Sequence, residues 1–544
     1  MIRPVVARLI PGLLLSLTVF AGGPTPSLVV QAAGSSAPDA APGPSAAGVR
    51  VDPQRASAPA GDTPEQLPRR YPVDQATLGR LKAQANAAAA ARDAGGGVFQ
   101  SSGPTPKFAT LSMGDAGGWN PPDGGLAVGP SAVLIAVNEG FAVYDRNGNK
   151  QLPASASSIG FQGFFGTSGS TYDPRAMYDA GQGHFALLAT TGGVYALATS
   201  QTGDPTGWWC TYRLPSDATG ATWADFPGLG MDGDNLYVTS NQFSSSSNSF
   251  QYAQVLVIPK TAVYSPSGGV SAACPTATST LFANLQNPGG GSSFTVQPAN
   301  QPDAVPGQGG PMYLVNAIWS SGANLVVRSI TSTPAGLTLN QPAWVSAGSG
   351  ANGFIGAYGL PADAPQPKGR AIDSGDTRLL GAVQRYGQMY TANTTMHVDS
   401  RLSSSPNPYA NAQWYVLTPA PTSAAPSATT GQSFAVTNSS VAYFFPGVLP
   451  GCTVKPIGGS CATPFVALQV SGSGRSQPAS AFKVTGGQPS VYQLGVGGYT
   501  QGSRWGDYPA MASDPSVPTQ VWVLGEYARA STSWGTAVGI VTPQ

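Results

Sequence analysis

Glutamate and lysine, the residues that ordinarily coat the surfaces of helices, are almost missing from this chain: three Glu and seven Lys in 544 residues, against 70 Gly and 50 Pro. A chain so poor in helix-surface residues and so rich in turn formers folds as strands joined by turns. From Val133 onward short apolar runs alternate with turn clusters, as in Val133–Asn138, then Phe141–Tyr144, then Asp145-Arg146-Asn147-Gly148-Asn149. An Asn-Gly step between two strand-like runs predicts a hairpin. Similar runs recur at 184–199, 235–243, 252–258, 311–318, 323–330, 379–393, 413–417, 440–445 and 520–528. Strands without intervening helices imply a sandwich, a barrel or a propeller.

A degenerate repeat selects the propeller. Leu236-Tyr237, Met312-Tyr313 and Met389-Tyr390 lie 76 and 77 residues apart (313 − 237 and 390 − 313), and Val521-Trp522 is a fourth copy, with room for an intervening blade at Tyr443. Radial repetition also hides strand edges that an open sheet of this length would expose. The expectation is an all-β chain: a closed β-propeller of six to eight blades, seven being the best fit, with a short N-terminal helical segment.

The N-terminus reads differently. Arg3 and Arg8 precede the apolar run Leu9–Phe20 and small residues through Gly23, the pattern of a signal peptide. The run is short of the ~20 residues a membrane span requires. Cleavage falls near Ala21 or near Gln31-Ala32-Ala33, and the sequence supports either. The division expected is a signal peptide over 1–33, a disordered Pro/Ala-rich leader over 34–60, a helical pro-segment or linker over 61–98, and the propeller over 99–544. Export implies a secreted or periplasmic protein. It also implies oxidised cysteines, which are even in number: Cys452 and Cys461, nine apart with Gly458 and Gly459 between them, form one disulfide, and Cys210 with Cys274 the other.

With net charge +1 and no basic stripe, nucleic acid is not a partner. The partners expected are a glycan or cell-surface polymer, with no membrane span and a monomer as the working unit. No CxxC spacing supports zinc. No cofactor is expected, and calcium is the ion that Asp-Gly loops such as Asp232-Gly233-Asp234-Asn235 would hold.

Pro121-Pro122-Asp123-Gly124-Gly125-Leu126-Ala127-Val128-Gly129-Pro130 resembles the opening of a family of large secreted bacterial β-propeller proteins, loosely sialidase-like and without an agreed activity. Four further segments agree in order: Asp173–Asp179, Ala224–Gly230, Ile372–Leu379, and Arg504–Pro515 with Trp522 and Glu526-Tyr527. The resemblance covers most of 115–544 and implies a propeller closed by the C-terminal strands; it implies no reaction.

The chemistry must come from the residues. Glycoside hydrolysis needs two carboxylates flanking the bond, and Glu139 and Glu526 are the only glutamates of the folded region. Asp376-Thr377-Arg378, Arg504-Trp505-Gly506-Asp507 and Asp173-Pro174-Arg175 each set an acid within three residues of an Arg. The catalytic candidates are therefore Glu139, Glu526, Asp376, Arg378 and Asp507. Candidates for binding are Arg175, Arg504, Trp505 and the adjacent Trp208 and Trp209, whose side chains must leave a strand on opposite faces. His184 and His397 follow no nucleophile elbow, so a serine triad is not expected. The reading is a secreted propeller that binds glycan or surface polymer. Its alternative is a glycan-cleaving enzyme, a glycoside hydrolase of sialidase-like kind or a polysaccharide lyase, with its site at the propeller mouth.

Overall fold

A computed structural model describes residues 37–59, 69–90, 107–265, 270, 273–307, 310–320, 322, 324–333, 335–346, 359–396, 410–419, 426, 429–436, 441–453, 460–462, 465–471, 479–483, 489–508 and 510–542. The expected signal peptide and His397 lie outside them.

The main body is all-β, a succession of antiparallel meanders. The first sheet runs Gly125–Val128, Ala132–Val137, Gly140–Asp145 and Lys150–Leu152. The next two begin with Tyr172–Asp179 and Thr222–Met231. The fourth and fifth begin with Gln297–Asn300 and Leu379–Arg385, and a short parallel pairing of those two strands joins them edge to edge. The sixth begins with Ala442–Leu449 and the seventh with Ala510–Ser513. Each of these first strands packs beside the next in order, and Ala510–Ser513 packs beside Gly125–Val128. A cavity of about 180 Å3 runs between them, with walls from every one of the seven. The seventh sheet is completed by Lys107–Ser112, which pairs with Ser533–Val541.

Strands second in their sheets are buried on both faces, because each meander is covered by its neighbours; Ala132–Val137 is apolar throughout and has almost no exposed surface. Between the first and second sheets Phe141, Phe164 and Trp209 pack edge to face, with ring centroids 4.8 Å and 5.7 Å apart along the series. The aromatic repeat falls where a periodic fold would place it. Tyr237, Tyr313, Tyr390 and Trp522 all lie on second strands, those of the third, fourth, fifth and seventh sheets. Tyr443 does not; it lies on the first strand of the sixth sheet, whose second strand is Phe465–Ser471. The Asn147-Gly148 turn forms as expected, with Gly148 at φ +91° and the Asp145 carboxylate accepting from the Asn147 and Asn149 amides. Both disulfides pair as expected, Cys210 with Cys274 and Cys452 with Cys461.

The segment expected to be a disordered leader is not bare coil over 37–59. Val49–Val51 adds a strand to the second sheet against Trp209–Thr211, and Ala41–Pro42 adds one to the third against Thr280 and Leu281. Strand addition bonds backbone to backbone, so a Pro/Ala-rich composition that cannot build its own core still docks on an edge that another sheet supplies. Further on, Gln75–Ala90 is the expected helix, and it burias Leu78, Ala85 and Ala89.

Candidate functional site

The first strands carry a local irregularity that recurs around the channel. Register shifts lie between Tyr172 and Arg175, Asp225 and Gly228, Leu379 and Ala382, and Phe444 and Gly447. In three of these four bulges a residue at positive φ precedes a proline: Asp173 (φ 55°), Phe226 (φ 54°) and Phe445 (φ 47°), before Pro174, Pro227 and Pro446. Proline cannot donate to the ladder and is tolerated at a bulge. A non-glycine residue at positive φ costs roughly 1–3 kcal/mol and persists only where its surroundings hold it. Tyr172 and Asp173 of the second sheet's bulge, with Asp225 and Phe226 of the third's, line a second opening, the mouth.

The mouth is a network of carboxylates. Asn138 donates through Nδ2 to Asp123 (2.8 Å) while its Oδ1 accepts the Asp173 amide (2.8 Å), tying the first sheet to the second. The Asp507 amide donates to Asp123 (2.6 Å), tying in the seventh. One oxygen of Asp173 accepts from the Tyr508 hydroxyl (3.0 Å) and from the Phe226 amide (3.2 Å). The Arg175 guanidinium stacks on the Tyr508 ring at 3.4 Å and donates through Nε to Pro227 O (2.8 Å). Its Nη2 is buried with no hydrogen-bond partner among the described residues, as are Nε and Nη1 of Arg504.

Environment splits the acids into two groups. Burial pushes Asp173 up to about 8, helped by repulsion from Asp123 and Asp225, so its carboxyl stays protonated at neutral pH. Burial also raises Asp123, Asp225 and Glu526. Asp373 goes the other way: burial opposes its ionisation, but Arg69, Lys82 and Arg504 outweigh that and hold it well below the usual carboxylate range. Asp376 is likewise held low against burial by Arg378.

The sequence candidates distribute unevenly over this site. Asp376 and Arg378 form a two-pronged pair, Nε and Nη2 each 2.8 Å from a carboxylate oxygen, and Trp319 Nε1 donates to the same carboxylate (2.8 Å). Arg504 lies 3.5 Å from Asp507 at the mouth itself. Glu139 accepts the Thr171 amide (2.9 Å) and Glu526 the Gly506 amide (2.7 Å), so each carboxylate holds the backbone leading into a first strand. Trp505 is fully buried and donates to Gln469 (3.2 Å). Trp209 is fully buried between the first two sheets, and Trp208, just ahead of the strand Trp209–Pro215, lies under the Arg50 guanidinium at 3.5 Å. Neither tryptophan is part of the mouth lining. In the Asp-Gly loop, the Asp232 carboxylate accepts from Asp234 and Asn235 amides and from the Tyr237 hydroxyl, all within its own hairpin. His184 is buried and bonded to Ser200 O (2.7 Å).

Sequence reasoning passed over Asp123, Asp173, Asp225, Asp373, Tyr508 and Arg69 as site residues. The recurrence of Asp or an aromatic before proline inside strand-like runs, at 173, 226 and 445, was the signal that could have found three of the bulges. Nothing in the sequence signalled Arg69. It donates to Asp373 (2.7 Å) and to Asp507, and together with Arg70 it walls an opening of only about 40 Å3.

No protein-family model and no curated protein matches the chain. Among solved structures it is similar to the Trypanosoma rangeli sialidase in complex with sialic acid, at 10% identity and TM-score 0.36 over 76% of this chain and 59% of that one. The chain thus spans about three fifths of the sialidase's length. It is also similar to the phage phi92 endosialidase (9% identity, TM-score 0.31, 66% of each chain) and to a GH43_1 enzyme from Xanthomonas citri (10% identity, TM-score 0.26, 62% of this chain and 94% of that one). At TM-scores this low, none of these likenesses bears on the chemistry of the mouth.

Proposed function

We propose that the seven sheets form a closed seven-bladed propeller acting outside the cytoplasm, and that its mouth cleaves a glycan by acid catalysis. The observation that carries this is a carboxyl in the mouth lining, Asp173, which burial and its acidic neighbours keep protonated up to about 8. A carboxyl kept neutral at neutral pH is the acid that glycosidic cleavage uses to protonate the leaving oxygen. Asp173 is the acid in this scheme. Its hydrogen bond from Tyr508 fixes the carboxyl orientation, and Arg175, stacked on the same tyrosine, offers its unpartnered N–H to a sugar oxygen.

The test is product analysis across a glycan panel with the wild-type chain and Asp173→Asn. The asparagine keeps the shape and removes the proton, so the rate falls by roughly 10²–10⁴. Wild-type activity also declines as pH rises through about 8, where Asp173 loses its proton. A binding protein is the second reading, favoured by the rings of Trp119, Tyr172 and Trp223 in the mouth lining, on which sugar faces stack. Glycan retention without release of any product from any panel member selects it.

A further inference from the structure

Arg69 sits in a receptor that it does not itself build. Its guanidinium donates to Asp373 Oδ2 at 2.7 Å and to Asp507, and lies 5.0 Å from the Phe445 ring centroid. Asp373 precedes the first strand of the fifth sheet, Phe445 is on that of the sixth, and Asp507 precedes that of the seventh. Gly375, at φ +79°, leaves the space in which ring and guanidinium meet: a Cβ there would stand 2.6 Å from Phe445 and 3.6 Å from Arg69 Nη1. Two carboxylates and an aromatic face are the components of a cation site.

The segment that delivers Arg69 is attached through side chains rather than a backbone ladder. It pairs with no sheet, and its helix buries Leu78, Ala85 and Ala89. Tyr71 is buried edge-on against Trp319 (ring centroids 6.3 Å) and under Arg378. The rest of the hold is largely charged: Lys82 on Asp363 (3.0 Å) and Asp373 (3.4 Å), Asn86 on Asp363 (2.9 Å), and the Arg70 carbonyl accepting from Arg378 (2.6 Å). While it is in place the opening is about 40 Å3, far below the ~300–1,000 Å3 of ligand pockets. When it leaves, Arg69 and Lys82 leave with it. Arg504, 3.9 Å from Asp373 and 3.5 Å from Asp507, then remains as the cation beside both acids of the receptor.

We infer that Asp373, Asp507 and the Phe445 ring form a cation subsite, that Arg69 fills it as an intramolecular stand-in, and that a glycan bearing a protonated amine takes its place. This rests on the reading of the mouth as a glycan site and names the sugar class it selects: unacetylated amino sugars. A neutral hydroxyl or an acetamide brings no charge to the two carboxylates, so the free amine is the group that replaces the guanidinium.

The experiment is calorimetric titration of Arg69→Gln with a glucosamine oligomer, an N-acetylglucosamine oligomer of equal length, and an arginine-containing peptide. The variant binds the glucosamine oligomer at least about tenfold tighter than the acetylated one and tighter than the wild type does, as a charge-assisted contact requires. Adding Asp507→Asn removes the preference. Equal binding of the two oligomers, binding of neither, or preference for the peptide overturns the inference. Should the variant not fold, the wild-type chain answers through hydrogen exchange of 75–90: acceleration by the glucosamine oligomer supports displacement, and unchanged exchange at saturation overturns it. Binding with amine preference but no sugar release defeats the hydrolytic reading and leaves this one standing; release without amine preference does the reverse.

Discussion

Two pieces of the N-terminal region lie against the same body and are held by opposite means. Residues 37–59 are stitched on by backbone: Val49–Val51 against the second sheet, Ala41–Pro42 against the third, Ala46–Ala47 against Thr276–Ala277. The fit is close, since a Cβ on Gly48 would stand 2.5 Å from both Cys274 Cβ and the Pro275 carbonyl. Residues 69–90 pair with no strand; besides Tyr71 and one buried helix face, they are fixed through Arg69, Lys82 and Asn86 onto carboxylates. Backbone ladders are indifferent to salt and to carboxylate protonation, whereas ion pairs respond to both. The first piece is thus part of the architecture, and the second is an attachment whose strength the solvent sets.

The largest separation between the two is expected from Asp373→Asn, which removes the charge facing both Arg69 and Lys82. Breaking a buried ion pair costs about 3 kcal/mol or more, so hydrogen exchange over 75–90 accelerates by about a hundredfold while Val49–Val51 keeps its protection. Equal acceleration of both pieces would break the comparison. Next comes Gly48→Val, which forces side-chain volume into the strand contact at a cost of about 1–3 kcal/mol. Protection is lost at Val49–Val51 and at Thr211, its partner, with 75–90 unchanged.

Acid gives a smaller and graded effect. Asp373 has its folded pKa depressed, so its contribution is present above the ordinary value of 3.8 and is lost as pH falls below it toward the folded value. Protection of 75–90 therefore declines on titration from pH 5 to 2.5, ahead of that of 49–51. The smallest effect is a control on the mouth. Asp173 is raised from 3.8 to about 8, so the native state holds a proton that the unfolded chain has released. Wild-type stability falls as pH rises between those values and is flat above. Asp173→Asn lacks that slope, and the difference in unfolding midpoint between the two, followed from pH 4 to 9, grows and then levels near 8. Neither N-terminal piece should loosen.

Much of the fold was legible because its signals are local. Turn chemistry marked the Asn147-Gly148 hairpin, the paucity of Glu and Lys excluded a helical body, and the aromatic of the second strand recurred visibly at 237, 313, 390 and 522. The sixth sheet shows where it failed: Tyr443 has a similar residue pattern on a first strand, since an aliphatic-aromatic step suits any buried strand. The mouth was less legible. Asp376, Arg378, Arg504 and Asp507 stood out through sequence neighbours, but Asp123, Asp173 and Tyr508 meet only across sheets, 335 residues apart in the case of Asp173 and Tyr508. Trp208 and Trp209 attracted notice as a pair; Trp209 enters the core, while Trp208 precedes the strand and lies beneath Arg50. Docking of 37–59 left no trace in composition because the receiving edge belongs to other parts of the chain.

The strand Lys107–Ser112 has a last consequence. Phe108 lies beside Val538, so a strand made early waits for a partner 430 residues later (538 − 108). Until that partner emerges, the early strand offers an open flank to any passing chain. A chain stopped short of Ser533 therefore has no strand on which to fasten it.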